Sequence, residues 1–170
     1  DYILSLGRMD KMGRYQKGLD MLFRSFLMVR DKVPNIRLIV AGCKNPSEET
    51  EVRDLSVSIG GTVLAEVSPW VEERTKWEVL RRCMILCMPS RYESFGMVAM
   101  EAQACGKPVV GFNIPGLSYA VKNGETGLLV RPFVVEELTK AMLLLLNDRS
   151  KREELGKRGR NWAKNFTWDK

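Results

Sequence analysis

The sequence predicts an α/β fold in which one domain, residues 1–170, is built on a doubly wound parallel sheet. Three observations lead there. Short apolar runs of strand length, each bounded by Gly, Pro or Ser, alternate with stretches whose apolar residues recur every three or four positions. The strand-like runs are apolar at nearly every position, the pattern of strands covered on both faces. No linker, internal repeat or low-complexity segment divides the 170 residues, a length sufficient for one domain with a real core. Strand, helix and strand in succession imply parallel strands joined by crossovers. In such sheets ligands gather at the carboxyl ends of the strands, so the loops that follow strands are the places to search.

The elements follow in order. "YILSLG" (Tyr2 to Gly7) is the first strand, and "GRMDKMGRYQKG" is the loop after it. Leu19, Leu22, Phe23, Phe26 and Leu27 form the stripe of the first helix. "IRLIVAG" (Ile36 to Gly42) is the second strand, followed by the loop "GCKNPSEE". "TVLAEV" (Thr62 to Val67) is the third, followed by the loop "SPWVEE". Trp77, Leu80 and, more loosely, Met84 mark a helix, and "MILCMPS" (Met84 to Ser90) is the fourth strand. After it "PSRYESFG" forms a loop in which Pro89 and Ser90 end the strand and Ser94 is expected to cap the next helix. That helix runs from about Gly96 to Cys105 and stops at Gly106. "PVVGF" (Pro108 to Phe112) and "TGLLV" (Thr126 to Val130) are the last strands, followed by the loops "NIPGLS" and "RPFVVEE". Leu138, Met142 and Leu145 form the stripe of a late helix.

Composition removes several function classes. The longest apolar run, Ala141 to Leu146, has six residues, against roughly 18 for a membrane span. Asp1 leads directly into a strand with no signal-peptide pattern, which suggests a piece of a longer protein. The four cysteines, Cys43, Cys83, Cys87 and Cys105, make no Cys-x-x-Cys pair, and there is no histidine. A zinc site is therefore not expected, and neither is any other metal. Reduced, buried cysteines fit a cytoplasmic protein. A net charge of +6 favours acidic partners such as phosphates or an anionic membrane face. Much of that charge lies in "KREELGKRGRNWAK", which reads either as a solvated helix face or, weakly, as a nucleic-acid patch. No zinc-finger or single-strand-binding signature is present, so no nucleic-acid partner is expected.

The stretch "PSRYESFGMVAMEAQACGKPVV" carries the chemistry. Glu93 stands in the loop before the helix, and Glu101 stands inside it, with seven residues between them. The backbone N–H groups of Gly96, Met97 and Val98 are free at the first turn and suit a phosphate. Helical side chains lean toward the N-terminus, so the Glu101 carboxylate points back at the loop. There it could accept two hydrogen bonds from a diol such as a ribose offers, or it could be an ordinary solvated helix charge. Its neighbours Met100, Ala102 and Ala104 favour the first, because a charge among apolar residues needs a partner.

At these residues the chain resembles a family: the retaining, nucleotide-sugar-dependent glycosyltransferases called group 1 or family 4, whose signature is Glu, seven residues, Glu. The resemblance extends over nearly the whole chain. "GRMDK" and "KGLDMLFRSF" resemble the opening of the family's second domain, "RLIVAG" its next strand, and "GTVLAEVSPWVEERTKWEVLRRCMILCMPS" the strand, helix and strand before the signature. "KNGETGLLVRP" resembles its late Gly-x-x-Gly-Leu-Leu-Val element. The resemblance implies a Rossmann-like domain, the C-terminal half of a two-domain GT-B fold. The N-terminal acceptor domain would be absent, and the isolated half nearly inactive.

The roles that the resemblance implies fall on particular residues. Glu101 would hold the donor ribose and Glu93 would face the donor sugar. Gly96, Met97 and Val98 would offer N–H groups to the diphosphate or sugar, and Val67 and Ser68 would border the base. Arg8 and Lys17 would neutralise the leaving diphosphate, so that no metal and no cofactor is needed beyond the UDP- or GDP-linked substrate. One departure concerns the second cation. Lys17 stands nine residues after Arg8, farther than the family's lysine, because "MGR" looks inserted. Arg14 falls at the family's spacing, but Lys17-Gly18 directly precedes the helix, as the family's lysine does. Gly116 resembles a family glycine near the donor, and reads equally as a loop glycine. "FTWD" resembles a recurring Phe-x-Trp that packs a returning helix. The implied partners are a nucleotide-sugar donor and a carbohydrate or lipid-linked acceptor, with peripheral contact to an anionic membrane. The rival readings are a GT-B sugar phosphorylase using pyridoxal phosphate and a non-enzymatic nucleotide- or membrane-binding module.

Overall fold

The central strands are runs of residues whose two faces are both covered, and the sheet is the centre of the core. A computed structural model describes residues 1–69 and 72–166. Its strands are β1 (Tyr2–Leu6), β2 (Arg37–Cys43), β3 (Glu66–Pro69), β4 (Ile85–Met88), β5 (Val109–Phe112) and β6 (Gly127–Val130). They form one parallel sheet in the order β3-β2-β1-β4-β5-β6. Every residue of β1, β4 and β5 is buried, which explains their continuous apolar reading. The chain winds one way from β1 to β3 and the other way from β4 to β6, so the crevice lies between β1 and β4.

Helices cover both faces: α1 (Lys11–Lys17), α2 (Leu19–Lys32), α3 (Pro46–Gly60), α4 (Glu73–Arg82), α5 (Met97–Ala104), α6 (Pro115–Ala120), α7 (Val135–Asn147) and α8 (Arg149–Ala163). Leu19, Leu22, Phe23 and Phe26 of α2 and Leu138, Met142 and Leu145 of α7 are buried as their spacing predicts, whereas Leu27 is only partly buried. The α2 and α7 stripes meet around a buried hydroxyl pair, Ser25 and Thr139, with their oxygens 2.8 Å apart. Burying that pair is inexpensive because the two hydroxyls share a hydrogen bond and Thr139 also donates to the Val135 carbonyl at 2.9 Å.

Several boundaries differ from the sequence expectation. The third strand is not Thr62 to Val67 but the four residues Glu66–Pro69, because it is the sheet edge and its residues are half-buried or exposed. Met84 lies beyond the end of α4 rather than on its stripe. Two expected loops hold short helices. "GRMDKMGRYQKG" contains α1, whose start is capped by the Asp10 carboxylate accepting from the Gly13 N–H at 2.7 Å. "NIPGLS" contains most of α6, opened by Pro115. The loop "GCKNPSEE" is largely the first turn of α3, with Asn45 as its cap. Trp70 and Val71 of "SPWVEE", and residues 167–169 of "FTWD", lie outside the described residues. Phe166 packs against the ring of Trp162 in α8, with centroids 4.9 Å apart.

Candidate functional site

Two chain segments leave the carboxyl ends of β1 and β4 and face each other across the crevice. The first contains Gly7, Arg8 and α1, and the second is the loop 89–96 that leads into α5. Between them is a cleft of about 320 Å³, whose walls include Arg8, Gln16, Lys17, Tyr92, Glu93 and Val98.

The first wall is held in place by α1. Arg14, on this short helix, donates to the Met9 carbonyl at 2.7 Å and pairs with Glu51 of α3. Lys17 is the last residue of α1, and Gly18 then turns the chain into α2 with φ of 67°. Glycine is required there twice over: the backbone is left-handed, and a Cβ would lie 2.0 Å from the Pro89 carbonyl oxygen. This contact brings Lys17 against the second wall. Its Nζ is 2.5 Å from Glu93 Oε1, and the buried Ser90 hydroxyl donates to the same oxygen at 2.9 Å. The Lys17 and Glu93 side chains are 19% and 11% exposed, so this pair sits at the floor of the cleft. Arg8 stands at the rim, 56% exposed, with Asp10 its nearest carboxylate at 3.4 Å.

The second wall ends in α5. Ser94 is not the cap; its hydroxyl lies 3.5 Å from the Tyr92 hydroxyl, and Gly96 occupies the cap position with φ of 81°. The first intrahelical donors are Ala99 and Met100, both to the Gly96 carbonyl. The N–H groups of Met97 and Val98 therefore lie ahead of the first helical bond, with the positive end of the helix dipole. Behind this loop is Gly116, buried in α6. A Cβ there would lie 1.7 Å from the Glu93 carbonyl oxygen. Gly116 is neither an ordinary loop glycine nor a lining residue of this cleft, and it permits the backbone of Glu93 to rest on α6.

Glu101 sits one turn deeper on α5, outside the lining of this cleft. The charge that its apolar neighbours required is Lys76 of α4, whose Nζ is 2.7 Å from Glu101 Oε1. Val67 and Ser68 lie within β3 at the sheet edge, separated from β1 by β2. They are not brought into the cleft; the link from that edge to the site is Lys76, on the helix that follows β3. The structure thus gathers Arg8, Lys17, Glu93 and Val98 at the cleft, and places Glu101 one turn beyond Val98 on α5. Met97 is at its start, half-exposed.

Three partners were not found from the sequence. Ser90 has a local signal, since it stands three residues before Glu93. Lys76 has none, and neither does the pairing of Arg91 with Asp20, 71 positions away. Arg91 and Asp20 make two parallel hydrogen bonds of 2.8 Å each. The guanidinium holds the Asp20 carboxyl below the usual carboxylate range, and Asp20 raises the pKa of Arg91 in return. All four cysteines are buried. Burial pushes the thiol of Cys43 up to about 11 and that of Cys83 up to about 12, and raises Cys87 and Cys105 as well.

Two cations, a helix N-terminus and nearby carboxylates are groups that can receive an anion and hydroxyl groups. Comparison with known proteins gives the family and the fold. A family model described as "Glycosyl transferases group 1" matches residues 1–162. A D-inositol 3-phosphate glycosyltransferase from Rhodococcus erythropolis is 34% identical over 165 residues, covering 93% of this chain and 37% of the relative. The chain therefore spans little more than a third of that protein's length. Sucrose-phosphate synthase from Thermosynechococcus elongatus has the same fold with a TM-score of 0.82 and 30% identity, over 98% of this chain and 41% of that one. The C-terminal domain of a group 1 glycosyl transferase family protein from Francisella tularensis, 20% identical, shares the fold with a TM-score of 0.79. The match covers 97% of this chain and 85% of that one.

Proposed function

This chain belongs to the group 1 glycosyl transferases, and on that premise we propose that it is the donor-binding, C-terminal domain of an enzyme that transfers a hexosyl group from a nucleoside-diphosphate sugar. The observation that carries the reading is the meeting of Arg8, Lys17 and the start of α5 at one cleft beside Glu93. The diphosphate of the donor lies between Arg8, Lys17 and the N–H groups of Gly96, Met97 and Val98. Glu101 accepts from the ribose hydroxyls, and the base reaches beyond the cleft to the sheet edge, where Val67 and Ser68 border it. Glu93 faces the sugar.

In the proposed reaction the bond from the anomeric carbon to the diphosphate oxygen breaks, and its electron pair stays on the diphosphate. The acceptor hydroxyl oxygen bonds to the anomeric carbon on the same face, with retention of configuration, and its proton is released. Negative charge on the diphosphate grows during bond breaking, so fixed cations aimed at it stabilise the transition state more than the ground state. Arg8 and Lys17 do this without a metal or a cofactor. The acceptor, a carbohydrate or a lipid-linked one, is held by an N-terminal domain, which leaves the isolated half with little turnover. The setting is cytoplasmic, with peripheral contact to an anionic membrane face. Among the described residues no helix is long and apolar enough to cross a membrane.

A thermal-shift panel of UDP, GDP, ADP and their sugars tests this reading, because a ligand that binds only the folded state raises its stability by mass action. Stabilisation by at least one of the nucleotides, with UDP or GDP best, is expected. Absence of any shift at millimolar ligand would overturn it.

A further inference from the structure

Arg91 belongs to the loop that carries Glu93, yet it points away from the cleft and holds the opposite wall. Its backbone N–H donates to the Gln16 carbonyl at 2.7 Å, and its guanidinium donates to the Tyr15 carbonyl at 2.8 Å. The same guanidinium makes the paired bonds to Asp20 in the first turn of α2 and lies 4.3 Å from the centroid of the Tyr15 ring. One side chain therefore ties together the end of α1, the start of α2 and the loop after β4. The residues on either side of these bonds are those of the cleft. Lys17 lies between Gln16, which Arg91 holds, and Gly18, which rests on Pro89. Ser90 and Glu93 flank Arg91 on the other strand of the seam.

We propose that Arg91, itself held by Asp20, is a positioning residue that sets the Lys17–Glu93 geometry on which the proposed donor site depends. It acts through the seam and touches no donor atom. Tyr15 adds to the seam in two ways. Its carbonyl accepts a bond, and its ring faces a guanidinium whose charge is already shared with Asp20. Arg91 supplies four hydrogen bonds and one ring contact from a single residue of the facing loop. A lysine ammonium could reach Asp20 as a point charge but could not make the forked pair of bonds to its two oxygens while also bonding the Tyr15 carbonyl.

This rests on the reading of the cleft as a diphosphate site, and the experiment keeps the two apart. UDP and GDP are titrated by calorimetry into the 170-residue chain and its Lys17→Ala, Arg91→Gln, Asp20→Asn, Arg91→Lys and Lys17→Ala/Arg91→Gln variants. Arg91→Gln is expected to lower affinity for the better nucleotide about tenfold, Asp20→Asn less, and Arg91→Lys to recover part of the loss. The double variant should bind no more weakly than Lys17→Ala alone, because Arg91 acts only through Lys17 and Glu93. A general structural defect would instead add its loss to that of Lys17→Ala. Additive losses, or unchanged affinity in Arg91→Gln while Lys17→Ala loses it, would overturn the positioning role. A ligand-free arm reads the geometry directly. The side-chain ammonium signal of Lys17, assigned by its absence in Lys17→Arg, should be held by the Glu93 pair in the wild type and lost to solvent exchange in both Arg91→Gln and Asp20→Asn. Persistence of that signal in both variants overturns the proposal, even if neither nucleotide binds.

Discussion

Replacing Gly116 by alanine tests how the donor-facing loop is supported, because the consequence can be worked from distances. The added Cβ would lie 1.7 Å from the Glu93 carbonyl oxygen, 2.4 Å from its carbonyl carbon and 3.0 Å from the Ser94 carbonyl carbon. All three are backbone atoms, so no rotamer change relieves the overlap. Ordinary contact requires roughly 3.5 Å, so the loop or α6 must move by well over an ångström. Overpacking of this kind costs about 1–3 kcal/mol, and in a chain of this size each kcal/mol lowers Tm by about 2–4 °C. The direction of movement matters more than the cost. The loop is pressed away from α6 while Lys17 stays fixed by α1, so the 2.5 Å contact from Lys17 to Glu93 should be lost. Displacement of about 1 Å at a reacting centre can cost on the order of 100-fold in rate. Differential scanning calorimetry reads the Tm, and titration with UDP or UDP-sugar reads the site. A Tm fall of several degrees together with weaker sugar-nucleotide binding is expected. An alanine variant with unchanged Tm and unchanged binding would refute the contact and the support that it provides.

Other expectations are as specific. Glu101→Ala should weaken binding of the bare nucleoside diphosphate by about 1.5–3 kcal/mol, the worth of a charged hydrogen bond. Glu93→Gln should weaken that affinity less than Glu101→Ala does, because Glu93 positions Lys17 and does not itself meet the ribose; calorimetry on both variants decides. Arg8→Ala should weaken diphosphate binding with little effect on the nucleoside, whereas Arg14→Ala should do neither, since Arg14 is engaged by Glu51 and the Met9 carbonyl. UDP and uridine titrations compare them, and a large loss in Arg14→Ala would reverse the assignment. The depressed Asp20 carboxyl makes the clamp pH-sensitive in one direction. Its folded-state pKa is below the unfolded value of about 3.9, so the contribution is complete above that value and is lost as pH falls through the folded pKa. Urea titrations from pH 6 downward should show a steeper acid loss in the wild type than in Asp20→Asn. Because burial raises all four cysteine thiols, native protein at pH 8 should resist alkylation and react fully only when unfolded, as mass spectrometry can count.

The central strands were legible in the sequence because burial on both faces leaves an uninterrupted apolar run, and β1, β4 and β5 are such strands. β3 was not, since an edge strand of four half-covered residues such as Val67 and Ser68 has no such run. The helices α1 and α6 are too short for an apolar period to declare itself; what makes them is a cap at Asp10 in one and a proline at Pro115 in the other. At the site, local chemistry was readable: the start of α5 and the two glutamates come from one contiguous stretch. The partners were not, because Lys17 meets Glu93 across 76 positions and Arg91 meets Asp20 across 71. Such pairs exist only once β1 and β4 lie side by side. Glu101 is intermediate. Its apolar neighbours announced that a counter-charge was needed, but not that Lys76 would supply it.

The donor-site assignment is tested most directly by where a nucleoside diphosphate sits. Amide chemical shifts followed while UDP, and separately GDP, is added to the 170-residue chain would locate it. For at least one of them the changes should centre on Gly7, Arg8, Lys17 and the stretch from Glu93 to Glu101. A second basic cavity, of about 490 Å³, lies at the opposite end of the strands and is lined in part by Arg82, Lys107, Arg149 and Arg152. Shifts centred on that cavity, with the cleft between Arg8 and Glu93 unaffected, would contradict the assignment of the donor site.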